Sequence, residues 1–242
     1  MEKAVKLGLI GKNISYSFSK KYFENKFKNQ MLDHFSYELF DIPEIEGLGE
    51  ILKDKNLKGL NVTIPYKEKV QPFLDELSEE AAETGAVNCI LINDGKRKGY
   101  NTDVFGFEKT LELHPIKPGQ KALILGNGGA TKAVRYVLEK KQIPHQTVAR
   151  NTELNFDNIT PQLVHEHEII IQCTPVGTFP NTEDCLNFPF EALGKNHLVI
   201  DLIYNPNYTK FIRNAAEKGA KTVNGFFMLE QQAEKSWQIW NS

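Results

Sequence analysis

Two hydrophobic periods alternate along this chain. In residues 59–64, Leu60, Val62 and Ile64 are separated by Asn61 and Thr63, the period-two pattern of a short strand with one apolar face. Pro65 ends the ladder because it has no N–H to give. Residues 5–10, closed by Gly11, predict a first strand and residues 35–42 a second. Between them Tyr22, Phe23, Phe27 and Met31 recur at helical spacing, with Ser19 read as the N-cap. Residues 43–52 predict a helix opened by a proline, and another helix starts at Ser78. A strand over 85–92 follows, then a turn over 95–99, then a helix over 104–113.

The run His114-Pro-Ile-Lys-Pro-Gly is rich in breakers, so a domain change is placed between Asp103 and Lys121. Residues 122–125 are continuously apolar, as a buried central strand should be, and lead into a helix through Val134 and Val137. Strands are then predicted at 147–150, 168–172 and 198–203, a helix over 208–218, and a closing amphipathic helix through Met228, Leu229, Ala233, Trp237 and Trp240. Residues 151–167 are polar and weakly periodic, which argues against a full crossover helix. Strands alternating with helices imply an α/β chain with mainly parallel sheets.

Composition narrows the partners. At 242 residues with 40% hydrophobic and 25% charged residues, the chain is an ordinary globular one of one large or two modest domains. A formal net charge of -2 gives no pull toward nucleic acid or anionic lipid. The early apolar run over 4–10 is broken by Lys6 and Gly8, which predicts no signal peptide or membrane span. Cys89, Cys173 and Cys185 are odd in number and lack metal or redox spacing, which points to the reducing cytoplasm.

Candidate chemistry gathers at element ends. Lys67 would stand just past a strand, at the lip of a sheet where open α/β folds place ligands. The competing reading is a surface lysine opening a helix. Asn88, Asn101, Thr102 and Asp103 also fall at element ends, although an aspartate there is often just an N-cap. Ser17 and Ser19, two apart near a helix start, suit one shared anion, and helix capping alone competes equally. Gly126-Asn127-Gly128-Gly129-Ala130 joins a strand to a helix, the context of a phosphate-cradling turn. The third glycine of the dinucleotide fingerprint would fall at Thr131, so S-adenosylmethionine competes as the ligand. Arg150 stands where an NAD site needs a carboxylate, ~20 residues on, and its cation favours NADP; a solvated strand-end arginine competes. His165 and His167 lack a third ligand nearby, so no metal site is expected.

Taken together, ISYSFS, NVTIPYK, GAVN, GYNTDVFGF, GNGGATKA, CTPVG, DLIYNP and NGFFMLEQQA resemble the shikimate dehydrogenase family, in family order over essentially the whole chain. The resemblance implies two α/β domains. Residues 1–104 plus 225–242 would form a mainly parallel substrate-binding and catalytic domain, and residues 105–224 a Rossmann-type NADP-binding domain. It implies reversible reduction of 3-dehydroshikimate to shikimate with NADP(H), in chorismate and aromatic amino-acid biosynthesis, by a cytoplasmic monomer or homodimer. Lys67 and Asp103 resemble the family's catalytic pair. Ser17, Ser19 and Tyr204 match its carboxylate-binding groups, and Thr63, Asn88 and Gln232 those that bind ring hydroxyls. Gly126, Asn127, Gly128, Gly129, Ala130, Thr174 and Gly225 match cofactor-binding positions, with Arg150 at the 2′-phosphate.

Three departures stand out. Lys20 replaces a proline after the paired serines, Glu153 and Leu154 stand where a second basic residue is usual, and the 151–167 region is short. A quinate or quinate/shikimate dehydrogenase with relaxed cofactor use shares most of the motifs. A silent nucleotide or metabolite sensor on the same fold is the reading from another class. Retention of both Lys67 and Asp103 argues against silence.

Overall fold

The structure, a computed structural model, describes residues 3–15 and 17–242; Tyr16 of the serine motif lies outside the described residues. By contact the chain forms two units, one holding residues up to Thr102 together with Ala233–Ser242, the other Asp103–Gln232.

The first unit contains β1 (Val5–Gly11), α1 (Phe18–Asn29), β2 (Phe35–Asp41), α2 (Leu48–Ile51), β3 (Leu57–Val62), β4 (Glu76–Leu77), α3 (Glu79–Thr84), β5 (Cys89–Asn93) and β6 (Lys96–Tyr100). The sheet order is β2-β1-β3-β5-β6-β4. β1 runs parallel to β2 and β3, while β5 is antiparallel to both β3 and β6. The chain passes from β1 to one side and returns to β3 on the other, so the order reverses between these two strands. Their C-terminal ends therefore flank the crevice where such sheets bind ligands. Because β5 is antiparallel, it starts at this same end, and β6 leaves there.

Alternation along β3 sorts its residues between two cores. Leu60 and Val62 pack with Tyr66, Val70, Val87 and Ile90. Asn61 faces the other way, toward the layer of Leu7, Leu9, Phe23 and Tyr37 that the chain's end completes with Ala233, Ile239 and Trp240.

The second unit contains β7 (Ala122–Leu125), α5 (Gly129–Lys140), β8 (His145–Val148), α6 (Pro161–His165), β9 (Ile169–Gln172), β10 (Leu198–Asp201), α7 (Lys210–Glu217) and β11 (Lys221–Val223). It begins in α4 (Thr102–Glu112) and ends in α8 (Phe226–Trp240). The order β11-β10-β9-β7-β8 is parallel throughout. Every residue of β7 and β9 is buried, as two covered faces demand. The order reverses between β7 and β9, directly at the glycine turn that follows β7.

Several local expectations are corrected. The cap of α1 is Ser17, whose Oγ accepts from Ser19 N, and not Ser19; Met31 lies past the helix and is exposed. Residues 43–52 give a 3-10 turn and the four-residue α2 in place of one helix. The turn expected at 95–99 is the two-residue Asp94-Gly95, with φ 48° and 79°, the left-handed geometry of a tight hairpin, so Lys96–Tyr100 is strand. Residues after Pro65 form turns and a 3-10 segment at Gln71–Phe73, so Lys67 does not open a helix. Residues 151–167, by contrast, agree with the expectation: in place of a full crossover helix they hold the five-residue α6, capped by Thr160 and closed by His165. Among the described residues no helix is long and apolar enough to cross a membrane.

Candidate active site

In the first unit, Ser17, Ser19, Thr63, Lys67 and Asn88 all stand at the sheet end where β1 and β3 finish. The serine loop is tied down by Asp41 at the end of β2, whose carboxylate accepts from Asn13 N at 2.8 Å and Ile14 N at 3.1 Å. Ser17 Oγ accepts from Ser19 N at 3.2 Å, so its own O–H remains a donor at the N-terminus of α1, where the helix dipole favours an anion.

Thr63 N donates to Ile10 O at 2.9 Å, and Thr63 O accepts from Tyr66 N at 2.9 Å. Tyr66 is buried and donates its hydroxyl to Ile42 O at 2.7 Å; burial and the nearby acids Glu44, Asp41 and Glu46 push its phenol up from the ordinary value. Next to this plug, Lys67 O accepts from Val87 N at 2.7 Å. Lys67 is thus fixed by its backbone and by buried Tyr66 and Val70 on either side, with a half-buried side chain. Asn88 Oδ1 accepts from Thr102 N at 2.6 Å. Asn101, by contrast, points into the base of the hairpin, where its amide donates to Thr84 Oγ1 and Ala86 O, each at 3.0 Å.

In the second unit, Gly126 has φ 117°, a left-handed conformation, and a Cβ there would meet Thr174 Cγ2 at 3.0 Å. The missing side chain lets Cys173 and Thr174, which follow β9, close against the turn. Gly128 caps α5, and Gly129 and Ala130 occupy the first helical turn, whose N–H groups have no partner within the helix. Thr131 is fully buried at the place of the fingerprint's third glycine and accepts from Gly128 N at 3.2 Å. Burial raises the neighbouring Cys173 thiol far above its ordinary range, so it is no thiolate nucleophile.

Arg150 is exposed in the turn after β8. The loop behind it is built from side-chain bonds: Thr152 Oγ1 accepts from Ala149 N at 3.1 Å and donates to Leu154 O at 2.6 Å, and Asn158 binds Asn155 N at 2.8 Å and Glu153 O at 2.7 Å. Tyr204 sits in a loop that Asp201 brackets, its carboxylate accepting from Ile203 N at 3.0 Å and from the Thr209 hydroxyl at 2.6 Å. Burial pushes the Asp201 carboxyl up to about 6. Gly225 N donates to Ile203 O at 3.0 Å, and a Cβ at Gly225 would fall 2.0 Å from Leu202 O. Gln232 donates to Leu229 O at 3.0 Å, and Asp103 is the buried second residue of α4. His167 is buried with Nδ1 2.7 Å from Leu163 O, and among the described residues no three His, Cys, Asp or Glu side chains form a metal-binding group.

The profile of the shikimate dehydrogenase substrate binding domain matches residues 9–90. A shikimate dehydrogenase (NADP(+)) of Clostridium perfringens is 38% identical over 249 residues, spanning 97% of this chain and 91% of that protein. The chain belongs to the shikimate dehydrogenase family. Shikimate 5-dehydrogenase from Thermus thermophilus, solved in complex with NADP(H) and shikimate, is similar with a TM-score of 0.86 at 29% identity, covering 98% of this chain and 93% of that one. Quinate dehydrogenase from Corynebacterium glutamicum, solved with NAD, has a TM-score of 0.86 at 26% identity, covering 99% and 94%. The paired α/β sheets are those of the shikimate dehydrogenases.

In this family member, the partners of several supporting residues escape motif reading. Asp41 and Asp201 each close a strand with a carboxylate, and although Asp201 stands in the motif DLIYNP, nothing in the sequence says which donors either will hold. Thr102 reads as a helix start until Asn88, fourteen residues away, is found bonded to its amide.

Proposed function

We propose that this shikimate dehydrogenase family member catalyses the reversible, NADP-dependent reduction of 3-dehydroshikimate to shikimate in chorismate biosynthesis. The observation that carries the reading is the 38% identity, over 97% of the chain, to a protein named for that activity and cofactor. Further relatives at 35% and 37% identity carry the same name, shikimate dehydrogenase (NADP(+)), which leaves the quinate reading second. A silent sensor is not favoured.

NADP(H), when bound, supplies or accepts the hydride. The Lys67 ammonium donates a proton to the alkoxide oxygen that develops as the ring ketone is reduced, and its positive charge stabilises that oxygen beforehand. In the oxidative direction the same amine takes the proton back. Asp103 orients the ammonium and holds a neighbouring hydroxyl. Ser17 and Ser19 donate to the substrate carboxylate together with Tyr204, and Thr63, Asn88 and Gln232 bind the ring hydroxyls. The first amides of α5, with Gly126, Asn127, Gly128, Gly129 and Ala130, suit the pyrophosphate, while Thr174 and Gly225 line the cofactor's path. Residues 1–104 plus 225–242 take the substrate role and residues 105–224 the cofactor role. The unpaired cysteines suit a cytoplasmic enzyme. The enzyme acts on a small molecule as a monomer or homodimer.

Arg150 is assigned to the 2′-phosphate, which only NADP(H) carries. Arg150→Ala should raise KM for NADPH by about 10-fold or more, the loss of about 1.5–3 kcal/mol from one charged hydrogen bond, and leave KM for NADH nearly unchanged. Steady-state kinetics with both cofactors decides it, and equal effects on the two would remove Arg150 from the phosphate.

A further inference from the structure

Behind the substrate end of the first unit's sheet runs a buried row of polar side chains that the chemistry itself does not require. Tyr37, on β2, donates its hydroxyl to Asn61 Oδ1 at 2.8 Å. Asn61 Nδ2 donates to Ser236 Oγ at 2.9 Å. Ser236 Oγ lies 3.3 Å from Thr102 Oγ1, which lies 3.1 Å from Asn88 Oδ1. Tyr37, Asn61, Asn88 and Thr102 are all buried, and Ser236 has no exposed surface.

The direction of these bonds is forced by chemistry. The Thr102 backbone N–H can only donate, so the Asn88 atom at 2.6 Å from it must be the oxygen. The Thr102 hydroxyl then gives its proton to that same oxygen, which leaves its own lone pairs to accept from Ser236. Ser236 in turn accepts from Asn61 and donates to Thr102. Each bond points from Tyr37 toward Asn88, an arrangement in which successive bonds polarise one another. Its outcome is the orientation of one amide: the Asn88 oxygen is held inward, so its NH2 is turned the opposite way.

We propose that Ser236, on the terminal helix, is a positioning residue for substrate binding, joining Asn61 to Thr102 and thereby fixing Asn88 as a donor to a substrate ring hydroxyl. The proposal rests on the reading of Asn88 as a ring-hydroxyl ligand. Ser236 lies outside the motif residues carried over from the family and on an otherwise apolar helix face, which is why pattern reading passes over it.

The test is steady-state kinetics on the full chain with shikimate and NADP. Ser236→Ala should raise KM for shikimate about 3–10-fold, the scale of one neutral hydrogen bond, with kcat and KM for NADP within about 2-fold. Ser236→Cys, close in size but a weak hydrogen-bonder, should behave like the alanine variant. Ser78→Ala, which removes the N-cap of α3 where Ser78 Oγ accepts from Ala81 N at 3.3 Å, should lower stability in the same unit without moving either KM. In an Asn88→Ala background, Ser236→Ala should add nothing. A full additional factor in that background, or an unmoved KM in Ser236→Ala while Asn88→Ala raises it, overturns the role of Ser236 alone. An unchanged shikimate KM in Asn88→Ala overturns the reading of Asn88 and the proposal with it.

Discussion

Lys67→Ala is expected to lower turnover by about 10²–10⁴-fold, the scale on which a lost acid–base group acts. The lysine's backbone is held independently of its amine, by the Val87 N–H on its carbonyl and by the buried flanking residues Tyr66 and Val70. Truncation therefore removes the proton donor and its charge without loosening the strand end, and the variant should stay folded. The loss should fall on kcat, since a group that acts on a developing alkoxide binds the transition state more strongly than the ground state. Lys67→Arg should recover little, because a guanidinium keeps the charge yet yields its proton poorly. A folded Lys67→Ala enzyme with near-native turnover would remove Lys67 from the chemistry.

Trp240→Ala should be the most damaging core substitution in the first unit, costing about 3–5 kcal/mol. The indole is fully buried, its centroid lies 5.3 Å from that of Phe23, and its Nε1 donates to Ile90 O at 2.9 Å. It rests on Gly59, where a Cβ would collide with the ring. The alanine variant opens a cavity and also strips the donor from a buried carbonyl of β5. Trp240→Phe, which keeps most of the apolar area and loses just the N–H, should cost clearly less. Urea unfolding of the three proteins measures this, and an alanine variant within about 1 kcal/mol of wild type would mean that the C-terminal residues do not complete this core.

The two central strands of the second unit, β7 and β9, were legible because a strand covered on both faces leaves a continuous apolar run, as in Ala122–Leu125 and residues 169–171, whereas the short polar edge strand β11 left no such signal. The candidate residues were legible because they stand where a strand ends and a turn-forming residue follows: Gly11 before the serine loop, Pro65 before Lys67, Gly126 after β7. What stayed hidden depended on partners distant in sequence. Whether Ser17 or Ser19 caps α1 turns on a single side-chain bond, and both residues have the right chemistry. The loop after Arg150 showed no period because Thr152, Asn155 and Asn158 spend their side chains on its backbone. The row from Tyr37 to Asn88 joins residues from five separate stretches, and no local spacing encodes it.

The most direct measurement of the central claim is absorbance at the nicotinamide band, with purified protein given shikimate or quinate against NADP or NAD. Turnover mainly with shikimate and NADP, abolished or nearly so in Lys67→Ala, is the predicted result. Preference for quinate or NAD, or silence in all four pairings from folded protein that still binds a nucleotide, would contradict it.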